Sequence, residues 1–403
     1  MKKRMMIAGT LGVFAAILWG YLHFGGFGTG DTADPAEFSR FAQPVEKLEI
    51  PLEAKVIALG EATHGNSEFQ KLKLEVFRKL VEESGVRAFA LEGDAGGCEM
   101  VNRYIHGGAG TAEEAVSAIG FTIYRTEEMA ELVSYLREYD ETAAKEDQIR
   151  FYGFDMQRTA CSIRILTEAC ESLGISGEKL NRWEEKNTEE RIEELTRLKA
   201  QLEQKEGSEE AVHFAELLIQ HCQLQEDSDL DAMAALRDRL MAENVEWILQ
   251  QEKSLGRDKI FITGHNAHVA KWGSYDSMGK LLSENQENRY YAIGTDFYKT
   301  KCNLPSGSSG RRTNQVFYSR DPLAKAAKLA GFDVCWLDFS KVLPDSSLAE
   351  HVFDYTYLGN LGESYSLFMR LLPQSYRMFQ PPGTLYDGMI FVAEATPVKP
   401  NEK

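Results

Sequence analysis

The sequence predicts an α/β fold, with a mostly parallel central sheet flanked by helices and a long helical insertion. Short apolar runs alternate with stretches of helical periodicity, and few polar residues interrupt the runs. Such runs indicate strands that are buried on both faces, as in a parallel sheet covered by helices. The predicted strands are Lys55–Leu59, Arg87–Leu91, Ile149–Phe154, Lys259–Thr263, Tyr290–Ile293, Phe332–Leu337 and Gly388–Ala393.

The second observation behind this fold class is a tract between the third and fourth predicted strands. Residues 176–254 are rich in Glu, Lys, Gln and Leu and contain no proline. This composition is typical of long helices with one face in solvent. We interpret the tract either as a structural insert or as a cap that shapes a substrate cleft. One globular domain is predicted for residues 45–400, with this tract as its insertion.

The first thirty residues differ in composition from the rest of the chain. Lys2, Lys3 and Arg4 precede a stretch without charges that ends at Gly30. Its apolar part is close to the ~20 residues that span a bilayer, and the positive end is expected to face the cytoplasm. Residues 1–30 are therefore predicted to anchor the chain in the cell membrane, with a linker over 31–44 and an extracytoplasmic domain. Secretion after cleavage of a signal peptide is the alternative.

The charge balance of the chain limits its partners. The formal net charge is −17 and no basic stripe offsets it, which excludes nucleic acid as a partner and favours a neutral or cationic small molecule. The six cysteines show no C-x-x-C spacing, which argues against a zinc ribbon or a redox motif and leaves their pairing open. The sequence gives no indication of the oligomeric state.

Ionisable residues follow four of the predicted strands at the point where each strand ends. Because the carboxyl ends of parallel strands meet at one edge of a sheet, we expect these residues to converge on one cleft. A single residue of this kind is more often a helix cap or a turn residue, so convergence is the informative feature. The candidates are Glu61 and His64 after the first strand, Glu92 after the second, Asp155 after the third, and His265 and His268 after the fourth. Asn266 lies between the last two.

Lys73 is a further candidate because of its place on a helix. It lies four residues from both Phe69 and Phe77, on the face that is predicted to point inward. A lysine among apolar residues needs a partner, and its side chain leans toward the start of the helix and so toward the acidic cluster. The alternative is a lysine at the edge of the apolar stripe with its ammonium in solvent.

The familiar nucleophile motifs are missing from the sequence. There is no G-x-S-x-G elbow and no P-loop, so a water molecule activated by a histidine is the simplest nucleophile. No cofactor is expected in this interpretation. In a second interpretation His64, His265 and His268 hold a divalent metal together with Glu61 or Glu92. The chain would then be a metal-dependent hydrolase or peptidase. In a third, the cleft binds a small molecule without catalysis.

Several motifs, in order along the chain, resemble the erythromycin esterase family. They are GEATHGNSEFQKLKLEVFRKL, LEGD, FYGFDMQ, GHNAHVAKW followed by SMGKLL, and the closing TLYDGMIFVAEAT. The resemblance implies a mostly parallel α/β core with a helical insertion, and hydrolysis of an ester or a macrolide lactone. The domain over 45–400 is accordingly expected to be an erythromycin esterase-like hydrolase domain.

The resemblance also implies roles for individual residues. His64 corresponds to the proposed general base, Glu61 and Glu92 to its acidic partners, and His265 to the second histidine of the active site. Lys73 occupies a position that is Arg in several members, and lysine lacks the planar fork that arginine offers. Apart from the resemblance, Asp155, Asn266 and His268 are expected to contact the substrate. Because macrolides act on ribosomes, an outward-facing enzyme is not expected to confer resistance.

Overall fold

The computed structural model describes residues 31–177, 180–226, 229–273, 275–366, 368–369 and 372–401, apart from the side chain of Asn181. These residues form two compact units. The first unit contains residues 60–72 and 292–398 together with the described residues up to 49. The second unit contains residues 50–59 and 73–291 together with 399–401.

The strands occur where the apolar runs predict them, with additions in the last third of the chain. They are β1 (Val56–Glu61), β2 (Ala88–Asp94), β3 (Arg150–Asp155), β4 (Ile260–His265), β5 (Tyr290–Pro305), β6 (Arg312–Tyr318), β7 (Val334–Asp338), β8 (Thr356–Gly359), β9 (Arg377–Gln380) and β10 (Gly388–Ala395). The predicted fold class, α/β with a mostly parallel sheet flanked by helices, is confirmed. The sequence interpretation missed β6, β8 and β9.

The α-helices lie between these strands. They are α1 (Pro35–Phe41), α2 (Ser67–Ser84), α3 (Ala95–Ile105), α4 (Ala112–Ala118), α5 (Glu127–Thr142), α6 (Ala160–Ser172), α7 (Thr188–Leu202), α8 (Glu209–Glu226), α9 (Leu230–Ser254), α10 (Asn266–Val269), α11 (Met278–Gln286), α12 (Pro322–Leu329), α13 (Ser347–Phe353) and α14 (Pro382–Leu385). The tract over 176–254 contains α7, α8 and α9, of which α9 is the longest, with 25 residues.

In the second unit the strand order is β3-β2-β4-β1, and β3 and β4 each run parallel to β2. Phe89 of β2 pairs in register with Phe151 of β3 and Phe261 of β4, and the ring of Phe89 lies 5.1 to 5.4 Å from those two rings and from Phe77 of α2. All four rings are buried. Because aromatic packing of this kind fixes the register of the strands, it also fixes where β2, β3 and β4 end.

The first unit has the strand order β5-β10-β7, with β6 paired to β5. β10 is parallel to β5 and antiparallel to β7, and β6 is antiparallel to β5. The predicted linker over 31–44 contains α1, whose Phe38 is fully buried against Phe332 and Phe391 of this unit. Asp34 caps α1, and Pro35 occupies its first position. The segment that was predicted as a linker therefore contains a helix that packs on the core of this unit.

The predicted location at the cell membrane needs correction. Within the described parts of residues 31–401, no helix is both long enough and apolar enough to cross a bilayer. The stretch over 1–30, where an anchor or signal segment was predicted, lies outside the described residues. The membrane location was the only reason for not expecting a resistance role, so that expectation is withdrawn as well. The six cysteines are free thiols, and all except the half-buried Cys161 are buried.

Gly97 is a position where the fold leaves no room for a side chain. A Cβ on this residue of α3 would lie 2.2 Å from the carbonyl oxygen of Ala118 and 2.6 Å from the Cα of Ile119. We expect Gly97→Ala to lower the free energy of unfolding by about 1–3 kcal/mol, because backbone atoms must move apart. Urea denaturation measures the change. Gly362→Ala is the control, since a Cβ there meets no atom within 4 Å. Equal stability of the two variants would contradict this account of the α3 packing.

Candidate active site

His64 and Glu61 form a buried imidazole–carboxylate pair at the end of β1. Nδ1 of His64 lies 2.8 Å from Oε1 of Glu61, and the side-chain amide of Gln70 on α2 donates to Oε2 of Glu61 at 3.1 Å. All three residues are at least 95% buried. A carboxylate at Nδ1 favours the tautomer that is protonated there, which makes Nε2 the basic nitrogen of the ring. This is the geometry of a general base with its orienting group.

The turn that carries His64 is fixed by its neighbours in the first unit. The carbonyl oxygen of Gly65 accepts from the N–H groups of Asn303 and Val398, and a Cβ on Gly65 would lie 2.9 Å from the carbonyl oxygen of Asn303. The side-chain amide of Asn66 donates to the carbonyl oxygens of Lys301 and Thr396. Because these contacts involve backbone groups, they hold the imidazole on a rigid support.

Glu92 is held by three nitrogen atoms at the end of β2. Its Oε2 accepts from the backbone N–H of His265 at 2.7 Å, and its Oε1 accepts from Nη2 of Arg237 at 2.9 Å. Nε2 of His268 lies 3.3 Å from the same Oε1. The carboxylate lies against Gly264, where a Cβ would be 2.8 Å from Oε2. Glu92 is therefore a buried carboxylate that cations and an amide keep in one orientation.

Arg237 of α9 joins Glu92 to Asp155 of β3. Its Nη2 lies 2.6 Å from Oδ2 of Asp155. Burial lowers the pKa of the guanidinium, but the charges of Asp155 and Glu92 outweigh it, and the pKa is raised well above its ordinary value. Arg237 thus stays charged and neutralises two buried carboxylates. Arg237 was not among the residues predicted from the sequence, although it lies four residues from both Met233 and Met241, the same spacing from large apolar residues that identified Lys73.

His268 is paired with Asp238, which follows Arg237 on α9. Nδ1 of His268 lies 2.8 Å from Oδ1 of Asp238, which also accepts from the backbone N–H of Met278 at 2.9 Å, while Oδ2 accepts from the hydroxyl of Tyr275 at 3.0 Å. Burial lowers the pKa of His268, but the charges of Glu92 and Asp238 outweigh it, and the pKa is raised. The two carboxylates therefore stabilise the imidazolium form of His268 relative to that of a free histidine.

The other predicted residues of this unit have less direct contacts. Nδ1 of His265 accepts from the backbone N–H of Ala267 at 3.3 Å, so this side chain caps α10, and Asn266 is buried beside it. Lys73 is fully buried, with Nζ 5.0 Å from the centroid of the Tyr124 ring. The alternative of a solvent-exposed lysine at the edge of the apolar stripe is therefore wrong. Lys73 instead makes a cation–π contact.

The predicted site residues fall into two groups. Glu61 and His64 belong to the first unit, whereas Lys73, Glu92, Asp155, His265, Asn266 and His268 belong to the second. Within each unit the structure brings the strand-end residues together, and it adds Gln70 to the first group and Arg237 and Asp238 to the second. The convergence of all of them on one cleft stays a prediction.

The metal interpretation finds no matching geometry in the described part of the chain. Among those residues, no group of three or more His, Cys, Asp or Glu side chains is arranged to hold a metal ion. Both oxygens of Glu92 accept hydrogen bonds from nitrogen donors, one of them cationic. A carboxylate with such partners is a poor ligand for a cation, because the arginine already supplies the positive charge.

A buried imidazole that a carboxylate orients, placed at the end of a strand in an α/β fold, defines a class of proteins suited to general acid–base chemistry. The comparison with protein families is more specific. The family described as Erythromycin esterase matches residues 81–395. The chain therefore belongs to the erythromycin esterase family. The match includes Glu92, Asp155, His265 and His268, and it begins after Glu61, His64 and Lys73.

Two curated relatives agree with this assignment. An erythromycin esterase type II from Escherichia coli is 28% identical over 305 residues, which cover 63% of this chain and 70% of the relative. A putative hydrolase, YbfO, from Bacillus subtilis (strain 168) is 25% identical over 296 residues. That alignment covers 60% of this chain and 65% of the relative, just under two thirds of its length. The family and these relatives make the chain a hydrolase.

Solved structures share the fold. A crystal structure of a Bacillus cereus protein has a TM-score of 0.76 at 19% identity, and one of a succinoglycan biosynthesis protein has 0.74 at 18%. Each alignment covers 91% of this chain and 98% of the other. A mutant of the erythromycin esterase EreC in its open conformation has a TM-score of 0.59 at 17% identity, covering 85% of this chain and 91% of that one. At these identities the similarity concerns the fold alone.

Arg237 is the position where one substitution should disturb the second group most. Arg237→Met would leave Glu92 and Asp155 buried without their shared cation, so we expect a loss of about 3–5 kcal/mol in the free energy of unfolding. Arg239→Met is the matched control, because Arg239 lies on the same helix and is exposed. Denaturant titration of both variants measures the difference. If Arg237→Met were as stable as its control, the guanidinium would not be needed to neutralise the two carboxylates.

Proposed function

We propose that the chain hydrolyses a carboxylic ester or a lactone with a water molecule that His64 activates. The observation that carries the proposal is the buried Glu61–His64 pair, in which the imidazole is oriented through Nδ1 and the carboxylate is itself fixed by Gln70. A general base needs a fixed ring and a basic nitrogen that can reach the proton it removes. Family membership supports the choice of an ester over other hydrolysable bonds.

In the proposed reaction, Nε2 of His64 removes a proton from water as the oxygen attacks the ester carbonyl. Glu61, the carboxylate at Nδ1, stabilises the imidazolium that forms, as a carboxylate does in other histidine-centred sites. Glu92 is the second carboxylate that we assign to the reaction, as an acidic partner of the base. The tetrahedral intermediate then collapses, the bond to the leaving oxygen breaks, and that oxygen takes up a proton. We assign stabilisation of the oxyanion, or protonation of the leaving alkoxide, to His265 together with Lys73 or His268.

The substrate is proposed as a class. The Escherichia coli relative is named for erythromycin, which makes a macrolide lactone one substrate to test. The net charge of −17 favours neutral or cationic molecules over anionic ones. Aryl esters, simple lactones, a macrolide and acylated sugars therefore form the first screen. Binding of one of these compounds without turnover by the wild-type protein would favour the non-catalytic interpretation.

His64→Asn tests the base directly. We expect kcat to fall by about 10²–10⁴-fold, because the asparagine keeps a polar side chain but removes the basic nitrogen. His351→Asn is the matched control, since His351 is a half-exposed histidine of the same unit. Steady-state kinetics on the best ester measures the loss, and circular dichroism shows whether the variant is folded. Substantial hydrolysis by folded His64→Asn would remove His64 from the reaction.

Metal dependence is tested separately. We expect the purified protein to hydrolyse the ester at the same rate before and after treatment with a chelator, because the proposed base and its orienting group are side chains. Elemental analysis of the same sample gives the metal content. Loss of activity with the chelator, restored by one divalent metal in a stoichiometric amount, would favour the metal-dependent interpretation instead.

A further inference from the structure

Asp238 is a fully buried carboxylate to which the proposed reaction gives no role. Its two oxygens accept from the ring of His268, the backbone N–H of Met278 and the hydroxyl of Tyr275. Burying a charge is costly unless several donors compensate for it. A helix that only covered the sheet would bury an apolar side chain at this position, so the carboxylate needs an explanation beyond packing.

The ring of His268 connects Asp238 to Glu92. Its Nδ1 faces Oδ1 of Asp238 at 2.8 Å, and its Nε2 faces Oε1 of Glu92 at 3.3 Å. Nη1 of Arg237 also lies 3.3 Å from Nε2, and the ring centroid of His265 is 6.3 Å away. Two negative groups and one fixed positive group thus face this imidazole, and the bond to Asp238 determines the orientation of the ring.

We propose that Asp238 is a positioning residue for the Glu92 carboxylate and acts through the ring of His268. The proposal rests on the hydrolytic function proposed above. Asp238 holds the ring so that Nε2 meets Glu92, and Arg237, the preceding residue on α9, holds the same carboxylate from its own side. Helix α9 belongs to the tract that sequence analysis described as an insert or a cap. In this proposal the tract supplies two residues that complete the support of Glu92.

The electrostatic consequence can be measured. The charges of Glu92 and Asp238 raise the pKa of His268 against burial and against Arg237. Asp238→Asn keeps the size of the side chain and removes one of those charges, so the pKa of His268 should fall. The imidazolium, which Glu92 needs as a partner, would then be lost at a lower pH. The alkaline limb of the pH profile of kcat should therefore shift to lower pH.

Kinetics of Asp238→Asn form the first part of the test. We expect kcat to fall by about 10-fold to 100-fold, as for other residues that orient an active-site histidine, with little change in KM. Tyr275→Phe is the control, because it removes one donor from the same carboxylate and keeps its charge; its pH profile should match the wild type. In a His268→Gln background, Asp238→Asn should cause no further loss of kcat. If the fold losses of kcat in the two single variants multiplied in the double variant, Asp238 would act independently of His268, and the proposal would be overturned.

Titration of His268 by ¹⁵N NMR in the full-length protein is the second part. The spectrum of His268→Gln identifies the resonance among the eight histidines. We expect the pKa of His268 to be lower in Asp238→Asn than in the wild type and unchanged in Tyr275→Phe. An unchanged pKa in Asp238→Asn, with only a lower melting temperature, would overturn the proposal. The titration needs no substrate, so it separates failure of this link from failure of the proposed hydrolysis.

Discussion

The constraint on which both groups of candidate residues depend is the burial of carboxylates at the strand ends and, for Asp238, on helix α9. Glu61, Glu92, Asp94, Asp155 and Asp238 are each at most 7% exposed. A buried carboxylate is tolerated only when cations or N–H groups compensate for the lost water. This requirement explains why Gln70 contacts Glu61, why Arg237 lies between Glu92 and Asp155, and why the N–H of His265 points at Glu92. The same carboxylates fix the imidazole rings of His64 and His268. Nδ1 of His64 lies 2.8 Å from Glu61, and Nδ1 of His268 lies 2.8 Å from Asp238.

The same constraint is visible where the compensation is weaker. Burial has the largest influence on Asp94 and raises its pKa. The backbone N–H of Gly97 lowers the pKa, whereas the charge of Asp155 raises it, and the resulting pKa is about 7. Because this folded-state pKa lies above that of an unfolded aspartate, the ionised form of Asp94 destabilises the fold. Its contribution to stability is present below about pH 4 and is lost as the pH rises through 7.

The sequence predicted the parallel strands well because burial on both faces leaves an apolar run that can be read directly. It missed most of β5 and the whole of β6, because that antiparallel hairpin mixes buried and exposed residues and carries polar side chains such as Lys301 and Asn303. Lys73 was identified from its place on an apolar helix face. Arg237 lies at the same spacing from large apolar residues, but the surrounding tract is rich in charged residues. The sequence therefore does not distinguish Arg237 from the exposed arginines of the tract. Asp238 gives no such signal, because only the fold shows that its side chain is buried.

The support for catalysis differs between the two groups of residues. The family match includes Glu92 and the histidines of the fourth strand end, whereas Glu61 and His64 precede the matched region and rest on their motif and their geometry. The central claim is that water, and not a protein side chain, attacks the ester. Rapid mixing of enzyme with excess aryl ester, combined with mass spectrometry of the quenched protein, tests it most directly. The account predicts no burst of the phenol and no gain in protein mass. A burst of one equivalent, with the mass of the acyl group added to the protein, would contradict it.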